Sequence, residues 1–120
     1  MKLMILANEI VLRVVAPLVG DCDFVHFSGI SGAIDALSKE EFDVVLVDSQ
    51  FPQIEEVCCR IREITPAALL VLGINGEDSW EKAWALDVDG FIPSRIGRAE
   101  FMARLKAGFR PCTNRGKVAV

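Results

Sequence analysis

The sequence has few of the residues that common metal and redox sites require. It contains one histidine, His26, and a lone histidine cannot complete a common zinc site. None of its four cysteines has the C-x-x-C spacing of many zinc and redox sites. They are Cys22, Cys58, Cys59 and Cys112. We therefore expect reduced cysteines without a redox role, and a histidine whose ring is satisfied inside or at the rim of the fold.

Long apolar runs and an excess of positive charge are absent as well. Every stretch of 18 residues contains a charged side chain, so we expect no membrane-spanning helix. The apolar start, residues 1–6, is too short for a signal peptide, which favours a cytoplasmic protein. Thirteen basic and 17 acidic side chains give a net charge of −4. That balance argues against direct binding of nucleic acid or of a membrane surface.

What is present fits one globular domain. The chain has 120 residues, of which 52% are apolar and 25% charged, and this composition excludes intrinsic disorder. We expect the domain to occupy residues 1–109. Residues 110–120 contain Pro111 and Gly116 and show no periodicity, so they are predicted to be a flexible tail or the start of a linker.

Short apolar runs predict strands that are buried on both faces. Unbroken runs of four or five apolar residues, too short for a helix, are typical of such strands. Two weaker runs bring the number of predicted strands to five. The runs are Leu3–Leu6, Phe24–Phe27, Val44–Val47, Ala68–Leu72 and Asp89–Pro93.

Segments with helical periodicity follow each predicted strand. In Ile54–Ile64, apolar residues recur along one helix face and charged residues fill the other. Pro17 is expected to end or kink the first helix near its last turn. Alternation of strand and helix predicts an α/β fold, a parallel sheet with helices on both faces. The other predicted helices are Glu9–Val19, Ser31–Lys39, Glu77–Leu86 and Gly97–Phe109.

Ligands of such a sheet bind at the carboxyl ends of its strands. Asp48 is the one carboxylate directly at the end of a central predicted strand. It lies in the segment D-V-V-L-V-D-x-x-F-P, residues 43–52. Two further motifs accompany this segment: K-L-M-I-L at the start of the chain, residues 2–6, and D-G-F-I, residues 89–92. These motifs resemble the receiver domain of bacterial two-component response regulators. The resemblance covers residues 1–109 and implies a CheY-like (flavodoxin-like) doubly wound sheet of five parallel strands, in order 2-1-3-4-5, with five helices.

The resemblance also implies a phosphorylation site. In receiver domains a histidine kinase phosphorylates the aspartate that ends the third strand, which is Asp48 here. Two acidic residues after the first strand hold Mg²⁺ together with that aspartate and a backbone carbonyl. Ala7 and Asn8 occupy the acidic positions, and Gln50 supplies the carbonyl. We expect Asn8 to cap the helix that begins at Glu9, with a residual metal role as the alternative.

The remaining switch positions also depart from the receiver pattern. Gly73 stands where a threonine or serine senses the phosphoryl group, and Ser94 where a lysine pairs with it. Only the switch aromatic, Phe91, is kept. Mg²⁺ prefers carboxylate oxygens, so Asp48, Asn8 and Gln50 make a weak site. We therefore expect no cofactor, with Mg²⁺ bound only if Asp48 is phosphorylated.

Three functions follow as hypotheses. The first is a degenerate receiver, a pseudo-receiver that acts in phosphorelay signalling as a phosphorylation-independent module for protein interaction and dimerisation. The alternative is a true phosphoacceptor, with a histidine kinase as partner and an atypical Mg²⁺ site at Asp48. An enzyme or small-molecule binder lacks support, because the sequence has no G-x-G-x-x-G segment and no nucleophile–base pair.

A surface that includes the fourth predicted helix is expected to bind a partner. Trp80 and Trp84 lie four residues apart there, and tryptophan is enriched at interaction hot spots. In receivers this helix, the fifth strand and the fifth helix form the face that dimerises or contacts output domains. We expect a protein partner or an output domain to bind there. A homodimer is a further alternative, through helix four or through helix one.

Overall fold

The computed structural model describes residues 1–20, 22–73, 88–93 and 96–107. Strands and helices alternate along the chain. They are β1 (Lys2–Leu6), α1 (Glu9–Val19), β2 (Asp23–Phe27), α2 (Ile30–Lys39), β3 (Val44–Asp48), α3 (Ile54–Ile64), β4 (Ala68–Gly73) and β5 (Gly90–Pro93). Residues 98–107 form a further helix, here named the last helix.

The strands form one parallel sheet in the order β2-β1-β3-β4-β5. This confirms the predicted strands and their order. Of the five helices expected, the described part of the chain contains four. The segment Glu77–Leu86, where the other helix was predicted, lies outside the described residues together with Trp80, Trp84 and Ser94.

The sheet separates two apolar clusters. Side chains of β1 alternate between them: Leu3 and Ile5 pack with α1 and the last helix, whereas Met4 and Leu6 pack with α2 and α3. Strands β3 and β4 are buried along their whole length. Complete burial of a leucine or isoleucine side chain stabilises a fold by about 1.5–3 kcal/mol, so these central strands anchor the domain.

Helix α1 extends through Pro17 and ends at Val19. A proline lacks the N–H that would bond the carbonyl four residues back, so α1 loses one hydrogen bond at Pro17. The chain then leaves the helix at Gly20, whose φ of +59° is a conformation that glycine adopts without strain. A Cβ atom at Gly20 would also overlap the guanidinium of Arg98, from the last helix. The C-terminal end of α1 therefore lies against the start of the last helix.

A polar contact fixes the start of β5. The side chain of Asp89 accepts a hydrogen bond at Oδ2 from the backbone N–H of Leu69, at 2.8 Å. Its Oδ1 lies 3.5 Å from Nη2 of Arg62 on α3. The Asp89 carboxylate is only 8% exposed, so the ion pair is shielded from solvent on that side. This carboxylate links α3, β4 and β5 and holds β5 in register.

Candidate functional site

Asp48 is the last residue of β3 and lies at the carboxyl edge of the sheet, as predicted. The turn that follows is held by main-chain hydrogen bonds. Ser49 N donates to Leu72 O, and Phe51 N donates to Asp48 O, both at 2.9 Å. The Asp48 side chain accepts at Oδ1 from Gln50 N, at 3.1 Å. The carboxylate is therefore bound to its own loop.

Burial changes the pKa of the Asp48 carboxyl. The residue is only 4% exposed. Burial raises the pKa of the Asp48 carboxyl above its ordinary value, and the hydrogen bond from Gln50 N lowers the pKa only in part. A cation beside a carboxylate would have the opposite effect on its pKa. The environment of Asp48 thus favours the neutral acid more than that of an exposed aspartate does.

Ala7, at the first acidic position of the receiver pattern, is buried and has no ligand atom on its side chain. Its backbone is fully engaged with β2: Ala7 N donates to Phe27 O at 3.2 Å. The Ala7 carbonyl lies 2.6 Å from Nε2 of His26. A carbonyl oxygen can only accept, so Nε2 carries the proton. This partner agrees with the expectation that the histidine ring is satisfied within the fold.

Asn8, at the second acidic position, caps α1. Its Oδ1 accepts from Val11 N at 2.9 Å, and its backbone is extended, the geometry of an N-cap residue. Glu9 in the first turn adds a negative charge at the positive end of the helix dipole. This confirms the predicted cap and leaves Oδ1 already committed to a backbone N–H.

The residues present do not fit the Mg²⁺ site that the receiver resemblance implies. The cation prefers several oxygen ligands, usually including more than one carboxylate or phosphate. Here Ala7 offers no side-chain oxygen, Asn8 is engaged in its cap, and Asp48 is a single buried carboxylate. Among the residues that the structure describes, no three His, Cys, Asp or Glu side chains come together as a metal site.

Gly73 and Phe91 lie in contact on the neighbouring strands β4 and β5. The ring of Phe91, 8% exposed, packs with Val71, its partner in the strand register. A Cβ atom added at Gly73 would overlap the Phe91 ring at Cζ and lie 2.9 Å from Cε1. The ring therefore fills the space beside the end of β4 where a threonine or serine side chain would begin. The sequence showed both residues but not this contact.

An open depression of about 470 Å³ lies beside the turn after Asp48. No motif in the sequence predicted this depression. Glu55 and Glu56, in the first turn of α3, place two carboxylates in its wall. Negative charge in this wall disfavours the binding of an anion in the depression. The lining residues are Ser49, Gln50, Phe51, Gln53, Ile54, Glu55 and Glu56.

Known proteins resemble this chain in structure. A CheY-like response regulator receiver domain protein from Methanospirillum hungatei is similar with a TM-score of 0.73 and 11% identity, over 95% of this chain and 96% of that chain. The N-terminal domain of the nisin resistance regulator NsrR, a lantibiotic response regulator, is similar with a TM-score of 0.71 and 18% identity, over 90% of this chain and 97% of that chain.

A structure described as adenylate cyclase from Rhodopirellula baltica is similar with a TM-score of 0.73 and 20% identity, over 98% of this chain and 95% of that chain. No protein-family model matches the sequence, and no curated protein matches it significantly. The structural neighbours are mostly receiver domains, and they show that this chain has the CheY-like receiver fold. No helix among the described residues is long and apolar enough to span a membrane.

Proposed function

We propose that this chain is a receiver-like domain of a two-component phosphorelay system, which acts without phosphorylation as a protein-interaction module and is not an enzyme. Asp48 occupies the phosphoacceptor position, at the end of the third of five parallel strands. The observation that carries the proposal is that Ala7 and Asn8, at the two acidic positions of the receiver pattern, offer no free carboxylate to hold a cation beside Asp48.

Phosphoryl transfer depends on positioning and on neutralising the charge of the transferred oxygens. At the positions described here, Ala7 contributes no charged group and Asn8 spends its oxygen on the α1 cap. Glu55 and Glu56 line the depression beside the turn. Burial of Asp48 disfavours the ionised form that would attack a phosphoryl donor. Each of these features opposes the transfer.

The contact between Gly73 and Phe91 supports the same conclusion. Glycine has no hydroxyl that could bond a phosphoryl group, and the Phe91 ring is packed against this position. A ligand shifts a conformational equilibrium only through different affinities for the two states. Without a side chain on β4 that contacts the phosphoryl group, phosphorylation has little means of favouring another arrangement of the ring.

We propose that a protein partner or an output domain binds this chain through Trp80 and Trp84, on the helix 4–strand 5–helix 5 face that the receiver resemblance implies; both tryptophans lie outside the described residues. The argument is the enrichment of tryptophan at hot spots. Substituting either tryptophan with alanine should weaken binding to that partner at least about tenfold. An unchanged affinity in both variants would move the partner to another surface.

Incubation with acetyl phosphate and Mg²⁺, followed by intact-mass spectrometry, tests the phosphorylation-independent role. We expect no mass gain for the wild-type chain. A gain of one phosphoryl group that disappears in Asp48→Ala would instead establish a working phosphoacceptor. A matched variant, Asn8→Asp, keeps a residue that caps helices equally well and adds one carboxylate. A phosphoryl gain in this variant alone would show that the missing acidic residue is what silences Asp48.

A further inference from the structure

The outer edge of β2 carries backbone groups that point away from the sheet. The carbonyl of Phe27 accepts from Ala7 N, so it points towards β1. In a strand, the N–H and C=O of one residue point to the same side and successive residues alternate. Val25 and Asp23 therefore also face β1, whereas Phe24 and His26 present their N–H and C=O groups at the outer edge. Within the described residues, β2 pairs only with β1.

Among the described residues no strand pairs with this edge, and β2 itself contains neither lysine nor proline. Exposed edges are normally covered, or blunted by lysine, proline or a bulge. The sequence of β2 is D-F-V-H-F, and Asp23 is its one charged residue. Phe24 and Val25 are each 36% exposed. Phe24 is in register with Leu3 and so lies on the α1 face of the sheet, whereas Val25, in register with Met4, lies on the opposite face.

Helix α1 exposes an apolar stripe beside this edge. Ile10 is 74% exposed and Val14 43% exposed, one helical turn apart. Leu12 and Gly20 lie roughly two turns apart on the same side of α1. Because Gly20 lies against Arg98, this side of α1 faces the last helix. By helical spacing, Ile10 and Val14 lie on the other side of α1. That side faces β2, because α1 connects β1 with the edge strand.

We propose that the α1–β2 surface, formed by Ile10, Val14 and the edge of β2, binds a second copy of this chain. An occupant must offer both a free strand edge and an apolar helix beside it. A two-fold axis through Val25 supplies both at once, since each copy presents the same pair to the other. The axis places Phe24 of one copy opposite His26 of the second copy.

This antiparallel register satisfies the outward backbone groups. Phe24 and His26 are the residues whose N–H and C=O groups point outward, and two such residues directly opposite exchange two hydrogen bonds. The two-fold axis generates the pair twice. The two copies of Asp23 would lie about 13 Å apart along the strands, beyond the Debye length of about 8 Å, so their repulsion is screened. The two sheets would join as one.

The contact area of this dimer can be compared with that of a standard protein interface. β2 has five residues and α1 eleven, so both elements are about 16 Å long. From β2 to the far side of α1 the contact is about 20 Å wide, which gives roughly 300–400 Å² for each copy. A standard interface buries about 800 Å² on each side. At half the standard area or less, the contact belongs to the class of weak and reversible interfaces.

Sedimentation velocity of the full chain, at concentrations up to about 1 mM, tests the association. We expect the average mass to rise with concentration. Ile10→Lys places a charge in the apolar stripe at a highly exposed position, so it should fold normally and weaken the dimer at least about tenfold. Ser31→Lys adds the same charge to an exposed position on α2 and should leave the association unchanged.

Disulfide trapping tests the position of the axis. Val25→Cys would face its own copy across a non-hydrogen-bonded pair, where the Cβ atoms come within about 4.5–5.5 Å, close enough for a disulfide after a small adjustment. In a background of Cys59→Ser and Cys112→Ser, this variant should oxidise to a covalent dimer faster than a Ser31→Cys control.

Either of two results would overturn the proposal. One is a chain that stays monomeric at every concentration. The other is a dimer that Ile10→Lys leaves unchanged and Val25→Cys does not trap, which would place the interface elsewhere. The proposal rests on the interaction role argued above but not on the chemistry of Asp48. A phosphoryl gain in the mass experiment with a dimer trapped by Val25→Cys would refute the phosphorylation-independent role and leave this surface intact.

Discussion

The ring of Phe91 occupies the space that a side chain on Gly73 would need. The two residues lie on neighbouring strands, and a side chain at position 73 requires that the aromatic ring at position 91 move or be replaced by a smaller group. The substitution of a glycine for the hydroxyl residue of the receiver pattern is thus tied to the packing of the aromatic residue on β5.

Gly73→Ala should destabilise the domain, because the added Cβ forces the ring out of its packed position. Overpacking of this kind costs about 1–3 kcal/mol, measurable as a lower midpoint in urea. The same change in a Phe91→Leu background should cost clearly less, since the smaller side chain leaves room. Equal costs in both backgrounds would show that the ring is not the obstacle.

Asp48→Asn should stabilise the domain at pH 7. The pKa of Asp48 is raised in the folded state, so the folded chain binds this proton more strongly than the unfolded chain does. As pH rises from the unfolded value, near 3.8, through the raised folded value, the folded state loses stability relative to the unfolded one. Asparagine keeps an acceptor for Gln50 N and carries no charge.

The measurement is the free energy of unfolding of wild type and Asp48→Asn from pH 4 to pH 8. The advantage of the variant should grow with pH over the titration window of Asp48 and then level off. A variant that is less stable than wild type at pH 7 would mean that an unrecognised positive group compensates the carboxylate.

Asn8→Ala should cost about 1 kcal/mol of stability, because Val11 N loses its acceptor at the start of α1. Asn8→Asp is the matched control, since aspartate caps equally well and its charge suits the helix N-terminus. Chemical denaturation of the three chains should rank wild type and Asn8→Asp together, above Asn8→Ala. If Asn8→Ala were as stable as wild type, the hydrogen bond from Val11 N to Asn8 would contribute nothing to the stability of α1.

Asp89→Ala should destabilise the domain by about 1–3 kcal/mol, because the buried N–H of Leu69 loses its acceptor and Arg62 loses its charged neighbour. Asp89→Asn keeps an oxygen for Leu69 and should retain a larger part of the stability. Hydrogen exchange of the Leu69 amide gives a local readout, and its protection should fall in the alanine variant. Unchanged protection would show that the backbone bond does not depend on this carboxylate.

The sequence predicted the parts of the fold that depend on local pattern. Unbroken apolar runs located β1, β3 and β4, since strands buried on both faces must be apolar throughout. It also located Asp48 at a strand end and Asn8 at a helix start, because both follow directly from the order of strand and helix.

Contacts between distant segments could not be read in this way. The overlap of Gly73 with Phe91 depends on the register of β4 against β5, in which Val71 is paired with Phe91. The bond from His26 to the Ala7 carbonyl requires a particular side-chain rotamer across two strands. Neither register nor rotamer leaves a mark in a single sequence.

The turn after β3 is shaped by its main chain. Ser49 N and Phe51 N make their hydrogen bonds to backbone oxygens, and these bonds do not involve the side chain at position 48. Evolution can therefore replace the acidic group at this position and keep the loop, provided that the new side chain still accepts from Gln50 N. A lineage could discard the acidic residue, keep the architecture, and recover the reaction later.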